Sequence, residues 1–107
     1  MFFRKTSKRK KSADDGGDEL LNKMNGKLLR YAVRRTPSGE EVIGREGRIV
    51  VTDTEIALRF DAKDAFLCLR EGSLCGELMN LEGVRIDGLL PDGRREIAIA
   101  YYKSYRK

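Results

Sequence analysis

The sequence predicts a mainly β domain: a small antiparallel barrel or half-barrel of six to seven short strands with one short N-terminal helix. Three observations carry this reading. From Lys27 onward, apolar residues recur at every second position, the repeat of a strand with one buried face. Turn signals at Thr36-Pro37-Ser38-Gly39, Asp53-Thr54, Glu71-Gly72-Ser73 and Pro91-Asp92-Gly93 divide the chain. They give strands at roughly 8- to 12-residue spacing, the rhythm of a small barrel or sandwich. No segment between strands can supply the crossover helix that parallel pairing needs. At 107 residues the chain fits one core, because two would each be too small to offset chain entropy.

Residues 1–17 read as a basic flexible tail with an acidic glycine hinge, and residues 18–107 as a single β-rich domain. Asp14-Asp15-Gly16-Gly17 forms the hinge, since paired glycines are costly to order. Asp18 can cap a helix running to Asn25, with Leu20, Leu21, Met24 and Leu28 at helical spacing and Asn25-Gly26 as its left-handed exit. Leu29, Tyr31 and Val33 then alternate along a first strand, which turns at Thr36 to Gly39 and returns through Val42 and Ile43. Gly44 and Gly47 are expected to bracket a bend. Arg48 to Thr52 follows, rich in β-branched residues whose restricted χ1 favours strands. Asp53-Thr54 turns it into Ile56, Leu58 and Phe60, the clearest half-buried alternation in the chain.

Asp61 to Asp64 connects to a strand over Ala65 to Arg70 whose two faces are both apolar. Glu71-Gly72-Ser73 is expected to turn it, with a short strand over Leu74 to Leu81 next. Val84 to Leu90 and Glu96 to Tyr102 make a closing hairpin around Pro91-Asp92-Gly93, whose proline fixes φ and whose glycine accepts positive φ. In that last strand Ile97, Ile99 and Tyr101 point one way, and Ala98, Ala100 and Tyr102 the other. Leu58 and Ile99 are candidates for the interior.

Charge is segregated. The 22 Lys and Arg against 17 Asp and Glu give +5, yet the first 12 residues hold six cations and no acid, so residues 13–107 carry −1. Arg4, Lys5, Lys8, Arg9, Lys10 and Lys11, with Phe2 and Phe3 beside them, are the candidate polyanion-binding residues. Cations draw the segment to an anionic surface and the rings bury at a membrane interface. Phosphate on RNA or DNA would attract the same charges. Tyr101, Tyr102 and Tyr105, interleaved with Arg94, Arg95, Lys103 and Arg106, supply rings and cations of the kind a single-stranded nucleic-acid platform uses.

Catalysis finds no footing in these residues. The chain has no His, which removes the usual general base near neutral pH and the commonest zinc ligand, and with it triad hydrolysis. No metal site and no cofactor are expected. Cys68 and Cys75 form no CxxC pair and read as two reduced thiols, or as a disulfide pinching the Gly72 turn if the flanking strands pair. The N-terminus lacks a signal peptide's apolar run and no segment approaches the length of a transmembrane helix. A cytoplasmic protein, peripheral at the membrane through its tail, is the expectation.

Gly47-Arg48-Ile49-Val50-Val51-Thr52-Asp53-Thr54-Glu55-Ile56-Ala57-Leu58 resembles the glycine-led hairpin of bacterial pleckstrin-homology-like and GRAM-type domains. The resemblance spans residues 40–102, with Glu77 to Val84 and Glu96 to Tyr102 supplying its later elements. Such domains usually close with a long C-terminal helix, which the basic residues up to Lys107 are not expected to supply, so the Asp18 to Asn25 helix would have to plug the open barrel instead. Sm-like and SH3-like small barrels are the structural alternative. The expectation is a non-enzymatic binding or scaffold domain whose barrel meets a protein partner, with a nucleic-acid-binding small β-barrel as the alternative.

Overall fold

The computed structural model describes residues 13–103, with side chains from Glu19 onward. Helix α1 (Ala13–Met24) leads into strands β1 (Leu28–Thr36), β2 (Gly39–Val51), β3 (Glu55–Phe60), β4 (Lys63–Glu77), β5 (Gly83–Leu89) and β6 (Arg95–Tyr102). Each strand pairs antiparallel with the next, and β6 pairs back onto β1, so the six strands form a closed barrel. Closure pairs the two strands that an open meander would leave as edges.

The helix starts at Ala13, so Asp14 to Gly17 belong to α1 and not to a hinge, and Asp18 lies inside it. Acidic residues in a first turn favour the helix dipole, which offsets part of the glycine cost of about 1 kcal/mol each. The exit falls where the Asn25-Gly26 pair places it. Gly26 has φ 84°, the Asn25 amide donates to the Leu21 carbonyl at 3.1 Å, and the Gly26 amide to the Ile49 carbonyl at 2.8 Å. The Asn25 side-chain oxygen accepts from the Val51 amide at 2.9 Å, which fastens the helix end to β2. Leu21 and fully buried Met24 then enter the barrel core.

β2 and β3 form the expected hairpin, with Ile49 opposite Leu58 and Val51 opposite Ile56. The Thr52 hydroxyl accepts from the Glu55 amide at 3.0 Å across the turn. β2 does not break at Gly44 and Gly47: it runs unbroken for 13 residues, and the two glycines lie against the Phe60 ring, where a side chain would collide. Asp61 and Ala62 form the β3–β4 turn with φ 54° and 64°, the left-handed pair whose twist suits a two-residue hairpin.

The largest departure from expectation is β4. Glu71-Gly72-Ser73 does not reverse the chain but forms a wide bulge within one 15-residue strand. Leu69 pairs with Leu89 and Leu74 with Asp87, so five steps along β4 match two along β5. The Ser73 hydroxyl bridges the gap, donating to the Leu69 carbonyl at 2.5 Å and accepting from the Leu89 amide at 2.8 Å. The expected strand over Leu74 to Leu81 is therefore the end of β4 plus a turn at 78–82, and the described residues form six strands.

The core is built from Leu29, Ile49, Ile56, Leu58, Cys68, Val84, Ile86 and Met24, all below 2% exposed. Ile99 is not part of it. Ala98 and Ala100 occupy the inner positions of β6, while Ile99, buried with Val33, lies outside the core cluster on the barrel's outer surface. Leu58→Ala is accordingly expected to lower stability in urea unfolding by about 2–5 kcal/mol, the usual cost of a core cavity. Ile99→Ala is expected to cost clearly less; equal losses would return Ile99 to the interior.

Candidate functional site

The outer surface of β6 should be polar in an antiparallel barrel whose other face is the core. Here it carries Ile97, Ile99 and Tyr101. Register extends the same surface sideways. Ile99 lies between Val33 of β1 and Arg85 of β5, and Tyr101 lies opposite Tyr31. Beyond β1, Val42 and Arg45 of β2 stand opposite Val33 and Tyr31. Beyond β5, Gly76 of β4 is opposite Arg85 and Leu74 opposite Asp87.

Along this face the Tyr31 and Tyr101 rings stack with centroids 4.6 Å apart and planes 24° from parallel. The Arg30 guanidinium stands 5.6 Å from the Tyr31 ring centre, within cation–π range. Burial pushes the Tyr101 phenol up from its ordinary pKa, with Tyr31 and Glu40 adding to the shift and Arg30 and Arg35 opposing it. At one side the apolar character reaches solvent: Leu74 is 69% exposed and Met79 fully so. Together with Cys75, Gly76, Glu77, Leu78 and Arg85 they line a hollow of about 320 Å³.

The charges on the face are unevenly matched. Arg35 pairs with Glu40 at 3.8 Å and Asp87 with Arg95 at 3.2 Å. Among the described residues, the Arg45 and Arg85 side chains have neither ion pair nor hydrogen bond, and Arg30 meets only the Tyr31 ring. A second hollow, of about 470 Å³ near Leu28, Arg48 and Asp61, has two of its four charged lining residues paired, Arg59 with Asp64 at 2.9 Å and Glu46 with Lys103 at 3.1 Å.

The polyanion-binding candidates Phe2, Phe3, Arg4, Lys5, Lys8, Arg9, Lys10 and Lys11 lie outside the described residues, as do Tyr105 and Arg106. The remaining C-terminal rings and cations do not assemble as one platform. Arg94 turns to Asp92 and Glu96, Arg95 to Asp87, and Lys103 to Glu46. Tyr101 joins Tyr31 outside, whereas Tyr102 packs against the core with its phenol oxygen buried and without a hydrogen-bond partner. The exposed residues Leu74, Met79, Val42 and Arg85 were not among the candidates that the sequence pointed to. Their signal was present in two places: a last strand apolar on both faces, and a Leu74 to Leu81 segment fitting neither the strand nor the helix period.

Both thiols, Cys68 buried and Cys75 half-buried, are set up to stay protonated. Cys68 and Cys75 are free. Burial pushes Cys75 up to about 12, with Cys68 adding to the shift. Burial also raises Cys68, against the Ser73 hydrogen bond and Arg95. Among the described residues no group of three or more Cys, Asp or Glu is placed to hold a metal ion, and no helix is long and apolar enough to cross a membrane. No protein-family model, no curated protein and no solved structure matches the chain.

Because the thiolate is the reactive form, a pKa near 12 leaves about one Cys75 in ten thousand ionised at pH 8. Titration of the native protein with Ellman's reagent at pH 8 is therefore expected to be far slower than for free cysteine. Both thiols should react at once in guanidinium; fast labelling of the native protein would contradict the buried geometry.

Proposed function

We propose that the chain is a non-enzymatic binding or scaffold domain whose barrel docks a protein partner on the outer face of β4, β5, β6 and β1. The basic N-terminal segment adds weak attraction to an anionic surface such as a membrane. The observation that carries the reading is the exposure of Leu74 and Met79 on the face that also holds half-buried Ile97 and the tyrosine stack. Contiguous exposed apolar surface on a small domain marks an interaction site, and Tyr, Met and Arg are the residues enriched at the centre of protein interfaces. Covering one Leu or Met side chain is worth about 1.5–3 kcal/mol, so two such anchors supply a useful share of a binding energy. The stacked rings with Arg30 also favour a second reading, a nucleic-acid-binding small barrel, since bases stack on such surfaces.

A photo-crosslinking amino acid at Met79, introduced into the full chain in its own cells, is expected to give one defined protein adduct, identifiable by mass spectrometry. The same group at Lys63, at the start of β4, should give none. Adducts at both positions or at neither would remove the docking reading, and an RNA adduct at Met79 would favour the second. Deleting residues 2–12 should leave the urea midpoint unchanged and abolish most low-salt binding to anionic vesicles or RNA, because the body without them is slightly acidic. Changing only Phe2 and Phe3 to Ala should weaken vesicle binding while duplex binding barely moves.

A further inference from the structure

We propose that the hollow at Gly76 is an anchor socket for an apolar side chain on an acidic segment of the partner protein, with Arg85 receiving a carboxylate beside it. The proposal rests on the docking reading and names the chemistry of the occupant. Gly76 is not required by its backbone: its φ lies outside the left-handed region, and nothing stands within 4 Å of where a Cβ would be. The missing side chain thus leaves open space, walled by Leu74 and Met79, whose apolar surface faces solvent.

The sign of the partner's charge follows from the charges left over. Glu77, the acid beside the hollow, is held by Lys23 at 2.7 Å. Across the rest of the face Glu40 and Asp87 are taken by Arg35 and Arg95. Arg85, Arg45 and Arg30 remain with no carboxylate partner among the described residues. A partner that buried these guanidiniums without an acceptor would lose their hydration uncompensated; carboxylates restore it and form forked, charge-assisted bonds. Nucleic acid would also satisfy the cations, but the hollow itself is lined by no aromatic ring on which a base could stack. A bilayer presents no protruding group to enter a hollow.

The test uses the full chain and fluorescein-labelled synthetic peptides of alternating Leu and Glu, Leu and Lys, or Ser and Glu, with poly(U) and anionic vesicles as further arms. The Leu/Glu peptide is expected to bind saturably. Arg85→Glu should weaken it by about tenfold or more, as reversing a close charge at an interface does. Gly76→Leu should weaken it by a similar factor with an unchanged circular dichroism spectrum and urea midpoint, since the new side chain fills open space on a strand. Leu74→Ser, which removes one wall, is a second variant should Gly76→Leu fail to fold. Equal binding of Ser/Glu would show that charge alone acts and overturn the socket, and equal binding of Leu/Lys would overturn the acidic partner. Poly(U) or vesicle binding that depends on Gly76 and Arg85, without Leu/Glu binding, would overturn both. Met79 crosslinks combined with peptide affinities indifferent to Gly76 and Arg85 would reject the socket while leaving the docking face. Loss of the Met79 crosslinks would reject both readings.

Discussion

The pairing of β1 with β6 is the interaction on which the rest of the barrel depends. Along this seam the inner positions are small, Ala32 opposite Ala100 and Ala98 beside them, and the outer positions are large, Val33 opposite Ile99 and Tyr31 opposite Tyr101. Small groups inside and bulky groups outside allow two strands to curve tightly toward one another, the geometry that closure of a small barrel demands. The inversion has a second consequence. Side chains that would ordinarily fill the interior are placed on the outer surface, where Val33 and Ile99 cover one another and the tyrosines stack beside them. The same residues that close the barrel thus create its apolar exterior.

Closure also sets what the two ends must do. β3 is only six residues long between neighbours of 13 and 15, so β4 runs on past it and pairs with β5 alone. The bulge at residues 70–73 absorbs this mismatch, and the Ser73 hydroxyl replaces ladder bonds that the extra residues interrupt. Arg95 secures the bulge from β6 by donating to the Gly72 carbonyl at 2.9 Å. Beyond the bulge, β4 projects Leu74 outward and Cys75 toward the core, while α1, tied down through Lys23 and Glu77, packs against β2 and β4 with Met24 inside. A polar group that would normally be wet, the Tyr102 hydroxyl, is enclosed there.

The apolar outer face and the interior are therefore opposite surfaces of one set of strands, and their chemistry differs. Inside, burial suppresses ionisation and holds both thiols protonated. Outside, guanidiniums without carboxylate partners surround aliphatic and aromatic groups, a combination that costs little in water yet rewards a complementary partner. The exposed residues cluster where β4 leaves its neighbour β3, the place where strand pairing constrains the surface least.

Whatever depends on neighbouring residues was legible in the sequence. The Asn25-Gly26 helix exit, the Thr52 to Glu55 turn, the alternation of Ile56, Leu58 and Phe60, and the Pro91-Asp92-Gly93 turn follow from backbone φ and a two-residue period. Mainly β architecture with a short N-terminal helix followed from these alone. Three things were decided only by the tertiary structure. Glu71-Gly72-Ser73 has turn chemistry, yet becomes a bulge because β5 stays in register on either side of it. The acidic and glycine residues before Asp18 read as a hinge, yet the backbone is helical from Ala13. The last strand is apolar on both faces, so its alternation could not say whether Ile99 or Ala100 points inward; the radius of the closed barrel chose alanine, and that choice put the larger apolar side chains outside.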